Sequence, residues 1–156
     1  MTPSGDGKVP YTSAVGTVRM ATEFLDLLPP AKGEIARVPP MPVYFLIGHG
    51  LELAIKSLLI LGGTTERQLR GIGHDLVEAR RRVVPPFKEV VTRLLSDLTE
   101  TLNPIYAAKG FEYLQPGFGR VPIYHEIRGQ VIADVGAIRG LVEREVRDRL
   151  RRQEAE

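Results

Sequence analysis

Three ionisable side chains, His49, Glu52 and Lys56, are spaced three and four residues apart in a segment that is otherwise apolar. At 3.6 residues per turn, this spacing places an imidazole, a carboxylate and an ammonium group on one face of a helix. Buried charge is costly unless it is paired and hydrogen-bonded. The sequence therefore predicts that this face belongs to a satisfied polar network in the core, or that it faces a cavity or a partner.

A second polar element, His74 and Asp75, follows a glycine turn at the predicted start of another helix. Asp75 is favoured there by the helix dipole, and the His74 imidazole can donate to a carboxylate such as that of Glu52. Glu52 and Lys56 have the favoured order for an i,i+4 ion pair, so the polar face is either a structural pair or the floor of a pocket. A metal site made of His49, Glu52 and His74 is disfavoured because Lys56 would repel the cation.

Five arginines stand close together between residues 67 and 82, where only two carboxylates oppose them, which leaves an excess of three positive charges. Two interpretations are open. Arginine near a helix C-terminus is favoured by the dipole, so the run is typical of a solvated helix end. Arginine clusters also bind phosphate groups. The candidate phosphate-binding residues are Arg67, Arg70, Arg80, Arg81 and Arg82.

Composition narrows the function classes. The chain has 156 residues, of which 43% are hydrophobic and 26% charged, and these values favour one globular domain. The absence of cysteine excludes disulfides, thiolate nucleophiles and cysteine-ligated metals, and it fits a cytoplasmic location. Glu52 and Lys56 interrupt the longest apolar stretch, so no membrane span is expected. Phosphate-loop, serine-hydrolase and zinc-helix motifs are absent, and no cofactor is predicted.

Hydrophobic periodicity predicts an all-α protein, an up-and-down bundle of four to five helices. Residues 1–10 are predicted to be a disordered lead-in, and 11–156 a single domain. Residues 31–41 are predicted to be a linker. The predicted helices cover residues 11–28, 42–61, 74–84, 87–102 and 122–152, with a short helical turn after a Thr65–Gln68 capping box.

Asn103-Pro104 is predicted to end one helix, because the residue before a proline is disfavoured in the helical conformation. The following stretch, 104–122, is rich in glycine and aromatic residues. Long irregular segments in compact domains are uncommon and often functional. Its aromatic rings either stack on nucleic-acid bases or fill the end of the bundle. They are Tyr106, Phe111, Tyr113 and Phe118.

The segment 45–59, FLIGHGLELAIKSLL, followed after a glycine turn by Gly-His-Asp-Leu at 73–76, resembles the HEPN superfamily. These are α-helical bundles found in prokaryotic toxin, defence and nucleotidyltransferase-partner proteins. The similarity is to bacterial members in which a Glu-Leu-x-x-Lys helix precedes a Gly-His-Asp-Leu helix start. The resemblance implies a dimeric bundle of four or five helices. Many members are metal-independent endoribonucleases with an Arg-x(4–6)-His motif, and others lack that motif and act as binding or partner modules.

Arg120 and His125 have four residues between them and stand where the resemblance places the catalytic motif. In such a motif, a neutral histidine abstracts the 2′-hydroxyl proton and an arginine stabilises the phosphorane oxygens. Arg67 and His74 have a similar spacing but precede a different helix. Active members usually carry a polar residue after the arginine, whereas this chain has valine and proline. The alternative gives Arg120 a loop salt bridge and His125 a hydrogen bond at the start of the helix.

The sequence and the resemblance together predict an RNA- or nucleotide-associated interaction module of a bacterial toxin or defence system, without strong catalytic activity. The alternative is a metal-independent endoribonuclease that uses Arg120 and His125 across a homodimer. The expected partners are a second copy of the chain, RNA or a nucleotide, and a protein such as a nucleotidyltransferase.

Overall fold

The computed structural model of the protein describes residues 7–37, 41–110 and 121–156. These ranges are helical and contain no strand beyond an isolated bridge between Lys8 and Thr65, which confirms the all-α prediction. The described ranges contain four long and four short helices. They are α1 (Ser13–Asp26), α2 (Glu34–Arg37), α3 (Met41–Leu61), α4 (Glu66–Ile72), α5 (Leu76–Arg81), α6 (Pro85–Lys88), α7 (Arg93–Tyr106) and α8 (Tyr124–Glu154).

Helix α3 is the centre of the protein and packs against α1, α5, α7 and α8. Its length and composition alone would allow it to cross a membrane, but 72% of its most apolar window is buried inside the protein. Such burial is typical of the core helix of a soluble protein. Helix α3 is apolar because the other helices pack around it.

Helices α1 and α8 cover α3 with rows of apolar residues at helical spacing. On α1 the buried row ends at Leu25, whose side chain lies directly over Gly50 of α3. A Cβ atom at Gly50 would be 2.8 Å from Leu25 Cδ2, so glycine allows the two backbones to approach closely. On α8 an apolar row at helical spacing is buried from Ile127 to Val146, while Ile123 and Leu150, at its two ends, are 49% and 41% exposed.

Helix α7 differs from the sequence prediction at both ends. The predicted helix 87–102 is divided into α6 and α7, because Thr92 caps a new helix by accepting the Leu95 backbone N–H. The prediction that Asn103-Pro104 ends the helix is wrong, since Pro104 lies inside α7 and the helix continues to Tyr106. A proline in a helix interior costs about 3 kcal/mol, so the last turn must be stabilised by contacts elsewhere in the fold.

The short helices α4 and α5 form where the sequence carries capping residues. Thr65 and Gln68 make the predicted capping box at the start of α4. Gly73 then takes a φ of +58°, a conformation that favours glycine, and turns the chain into α5. The Asp75 carboxylate caps α5 by accepting the Glu78 backbone N–H. This turn places His74 and Asp75 beside α3.

The structure differs from two further sequence predictions. The predicted linker 31–41 contains one helical turn, α2, while 38–40 lie outside the described residues. In the predicted lead-in, residues 7–10 contact the start of α4, where the Glu66 backbone N–H lies 3.4 Å from the Gly7 carbonyl. Residues 1–6 are outside the described part of the chain.

We predict that Gly48→Ala destabilises the protein by about 2 kcal/mol, because overpacking a filled site has costs of this size. A Cβ atom at Gly48 would be 2.6 Å from Cδ2 of Tyr106, a ring that its hydroxyl holds against Glu52. The measurement is urea denaturation followed by circular dichroism.

Gly136→Ala is the matched control for this prediction. Gly136 is an exposed glycine of α8 with no atom near its added Cβ, so alanine should stabilise the helix by about 1 kcal/mol. If Gly48→Ala were as stable as Gly136→Ala, the close approach of the Tyr106 ring to α3 would be refuted.

Candidate functional site

The Glu52 carboxylate is the centre of a polar network inside the helical core, and its side chain is 4% exposed. One oxygen, Oε1, lies 2.5 Å from the Lys56 Nζ atom. The other, Oε2, accepts the Tyr106 hydroxyl and lies 3.0 Å from His74 Nδ1. His49 Nδ1 is 3.7 Å from the same oxygen. We call these five residues the Glu52 network.

Three separate elements supply the Glu52 network. Helix α3 provides His49, Glu52 and Lys56 through the predicted i,i+3 and i,i+4 spacing, and the expected Glu52–Lys56 ion pair is present. The turn before α5 provides His74, and the last turn of α7 provides Tyr106. The network therefore joins the central helix to two elements that lie 22 and 54 residues further along the chain.

Aromatic rings and one amide hold these elements in place. The Phe45 ring stacks on the His49 imidazole at a centroid distance of 5.6 Å, and the Phe24 ring meets it edge-on at 4.5 Å. On α7, the Asn103 side chain accepts the Leu76 backbone N–H and donates to the Asp75 carboxylate. Asn103 thus fixes the start of α5 next to the helical turn that carries Tyr106.

The positions of the protons in the Glu52 network follow from the inventory of donors. The Tyr106 hydroxyl has one hydrogen, which it donates to Glu52, so His49 Nδ1, at 3.0 Å from that hydroxyl, must donate to it. His74 Nδ1 likewise donates to the carboxylate. In their neutral forms both imidazoles therefore carry hydrogen on Nδ1 and leave Nε2 unprotonated.

The ionisation of Glu52 reflects a balance between burial and hydrogen bonding. Burial by itself raises the pKa of this carboxyl group, but the surrounding polar groups of His49, Lys56, Tyr106 and His74 outweigh it and hold the pKa well below its ordinary value of 4.5. A carboxylate that stays ionised at neutral pH and is surrounded by donors is a poor general acid or base at that pH. The geometry therefore favours a structural ion pair over a reactive pocket floor.

The three residues considered for a metal site are all part of the Glu52 network. In the parts of the chain that the structure describes, no group of three histidine or acidic side chains is arranged to hold a metal ion. At Glu52 the Lys56 ammonium group already occupies one carboxylate oxygen.

Most of the clustered arginines are engaged with neighbouring groups. Arg70 pairs with Glu66 at 3.0 Å and Arg82 with Glu78 at 2.6 Å. Arg80 donates to the Ser96 carbonyl at 3.0 Å and pairs with Glu100. Within the described residues, Arg67 and Arg81 form no ion pair. The positive charge that the sequence predicts is thus largely neutralised by local partners, and Arg81 is an arginine near α7 that is unpaired within the described ranges.

Two surface pockets adjoin Arg81. One, which we call the basic pocket, has a volume of about 230 Å³ and is lined by Arg80, Arg81, Val83, Lys88, Val91 and Ser96. The other, which we call the acidic pocket, has a volume of about 270 Å³ and is lined by Asp75, Val77, Glu78, Arg81, Glu100, Asn103 and Pro104. Sequence reasoning missed Lys88 and Ser96, because only the packing of α5, α6 and α7 brings them to the arginines.

The candidate catalytic pair is described only in part. His125 is exposed in the first turn of α8, and its Nδ1 atom lies 3.1 Å from the Ala36 carbonyl. Arg120, together with Phe111, Tyr113 and Phe118, lies outside the described residues. The structure therefore locates the histidine of the predicted motif but not its arginine.

Sequence reasoning placed Tyr106 in the irregular stretch 104–122, whereas it is a buried residue of α7, and it connected neither Tyr106 nor Asn103 with Glu52. A signal was present, because Leu95, Leu98 and Leu102 follow a helical spacing that continues to Tyr106, and all four are buried. The rule that a proline ends a helix concealed that continuity.

Comparison of the chain with protein-family models, with curated proteins and with solved structures found no match.

We predict that Glu52→Gln lowers the free energy of unfolding at neutral pH by about 3 kcal/mol, because it leaves Lys56 without its counter-ion in a largely buried site. Because folding lowers the pKa of Glu52, its contribution is complete above the ordinary value of 4.5 and is lost as the pH falls towards the folded pKa. The wild type should therefore lose more stability than the variant between about pH 6 and about pH 3, an interval that brackets the ordinary pKa of 4.5.

Denaturation midpoints measured across this pH interval provide the comparison. Glu23→Gln removes an exposed carboxylate of α1 and should follow the wild type. Parallel pH profiles for the wild type and Glu52→Gln would contradict the ionised, hydrogen-bonded state of Glu52.

Proposed function

We propose that the chain is a non-catalytic, HEPN-like interaction module that binds the phosphate groups of RNA or nucleotides at its basic pocket. The observation that carries this proposal is the convergence of three cations in one concavity. Arg80, Arg81 and Lys88 line it, and Arg81 and Lys88 have no ion pair within the described residues. Unpaired cations that face one concave site are suited to binding a phosphate group.

The Glu52 network supports the non-catalytic part of the proposal. Its carboxylate is ionised, buried and surrounded by donors, so it stabilises the packing of α3, α5 and α7 and does not itself act as a general acid or base. Of its members, only His74, at 48% side-chain exposure, is substantially open to solvent.

The same contacts support the family resemblance. The residues that carry the resemblance, Glu52 and Lys56 of the Glu-Leu-x-x-Lys helix and His74 of the Gly-His-Asp-Leu turn, meet at one carboxylate. This contact is a physical reason for the two motifs to occur together. The dimer, a nucleotidyltransferase partner and a toxin or defence setting are proposals that follow from the resemblance alone, and a cytoplasmic location is a proposal that rests on the absence of cysteine.

We predict that the protein binds short single-stranded RNA at low salt and that Arg81→Gln/Lys88→Gln weakens this binding. Each phosphate contact to a single strand contributes about −0.7 to the slope of log K against log salt concentration, so losing two contacts should reduce the slope by about 1.4. Fluorescence anisotropy titrations over a range of salt concentrations measure both effects.

The control is Arg144→Gln/Arg147→Gln, which removes the same charge from exposed positions of α8 that have no ion pair within the described residues. An equal loss of affinity in both double variants would mean that only net charge matters. No binding of RNA or nucleotide by the wild type at low salt would refute the proposal.

A second candidate function, a metal-independent endoribonuclease, is favoured by one observation at His125. Because the Ala36 carbonyl can only accept a hydrogen bond, His125 Nδ1 carries the hydrogen, and in the neutral ring Nε2 has a free lone pair at the protein surface. This is the tautomer that abstracts a proton from a 2′-hydroxyl group.

If this second function is correct, the protein cleaves RNA in the presence of a chelator and leaves 2′,3′-cyclic phosphate ends. His125→Ala should then reduce the rate about a hundredfold or more, the usual contribution of a general base, while Arg147→Gln keeps activity. Gel analysis of end-labelled RNA measures cleavage. RNA that stays intact with the wild type, or unchanged cleavage by His125→Ala, would exclude this function.

A further inference from the structure

The basic pocket has a boundary that a groove for continuous nucleic acid would lack. Arg81 lines both the basic and the acidic pocket, so it stands between them. Beyond Arg81 the surface carries three carboxylates, those of Asp75, Glu78 and Glu100. Proteins that bind along a strand use a positively charged groove that follows the backbone. Here the positive surface ends at the acidic pocket, which would repel the next phosphate in that direction.

The volume of the basic pocket also favours a small ligand over a continuous strand. Pockets for drug-sized ligands usually have volumes of roughly 300–1,000 Å³. At about 230 Å³, the basic pocket is smaller than this range and suits a phosphate group with part of its sugar. The apolar side chains of Val83 and Val91 also line it, and they can contact the carbon face of a ribose.

The charge of the lining matches a phosphomonoester better than a phosphodiester. Of the three cations, Arg80 is neutralised by Glu100. The hydrogen bond from Arg80 to the Ser96 carbonyl holds the guanidinium group at the side of the pocket. Arg81 and Lys88 form no ion pair within the described residues, although Arg81 also borders the acidic pocket, and none of the described carboxylates lines the basic pocket itself. A phosphomonoester carries about −1.5 to −2 charges at pH 7, whereas an internal phosphodiester carries one.

We infer that the basic pocket binds a terminal phosphate, the phosphomonoester at an RNA end or on a free mononucleotide, rather than the internal phosphates of a strand. Arg81 and Lys88 pair with the dianion, Arg80 and the Ser96 hydroxyl donate hydrogen bonds to it, and the acidic pocket excludes a continuing backbone. This inference rests on the proposed function and specifies the chemical class of its ligand.

The test uses the full chain and one short single-stranded RNA sequence in three forms: with a 5′-phosphate, with a 3′-phosphate, and with hydroxyl groups at both ends. We expect one phosphorylated form to bind about tenfold or more tightly than the hydroxyl form, which is the usual effect of one or more charge-assisted hydrogen bonds. Arg81→Gln and Lys88→Gln should each remove that preference, while Arg147→Gln keeps it.

Competition identifies the source of the phosphate. A nucleoside monophosphate that displaces the phosphorylated RNA, when the nucleoside does not, indicates a free mononucleotide as a ligand of the basic pocket. Lack of displacement indicates an RNA end whose neighbouring nucleotides add affinity. Both results support a terminal phosphate as the recognised group.

The two proposals fail in different ways. Equal binding of all three RNA forms, with the Arg81 and Lys88 variants weakening all of them alike, would overturn the terminal-phosphate inference and leave RNA binding intact. A preference for a phosphorylated end that survives both variants would place its recognition elsewhere and also overturn the inference. Absence of binding by every RNA form and by the mononucleotide would refute both proposals.

Discussion

The buried carboxylate of Glu52 is the constraint on which the arrangement of helices depends. An ionised carboxylate in a helical core is costly unless several donors reach it. Those donors come from α3 itself, from the turn before α5 and from the end of α7. In the described residues, no buried side-chain nitrogen or oxygen lacks a hydrogen-bond partner. The charge therefore fixes how two outer elements sit on the central helix.

Features that look unfavourable in isolation follow from this requirement. Gly48 weakens a helix interior, yet it gives the Tyr106 ring room to lie on α3. Pro104 interrupts the hydrogen bonding of α7, yet Asn103 and Tyr106 on either side of it bind Asp75 and Glu52. These locally unfavourable residues allow a donor to reach the Glu52 carboxylate. The turn between the short helices α4 and α5 brings His74 to the same carboxylate.

The Glu52 network and the basic pocket divide structural and binding roles. The network uses its polar groups on one another, so it holds the bundle together and leaves little reactive chemistry. The cations Arg81 and Lys88 lie at the junction of α5, α6 and α7, on the surface, where a charged ligand can reach them. His74, just before α5, and Tyr106 of α7 both bind Glu52, and Asn103 of α7 binds the start of α5. The Glu52 network therefore fixes the relative positions of two of the helices that form the basic pocket.

The sequence by itself determined whatever depends on neighbours within one or two turns: the apolar helix α3, the Thr65–Gln68 capping box, the Glu52–Lys56 pair and the amphipathic face of α8. It also indicated that His74 would reach a carboxylate such as that of Glu52. Only the tertiary structure decided that α7 continues past Pro104 to Tyr106, which arginines are paired, and that Lys88 joins Arg81. The reason is physical: helical periodicity acts over a few residues, whereas Tyr106 contacts a residue 54 positions away and Arg80 one 20 positions away.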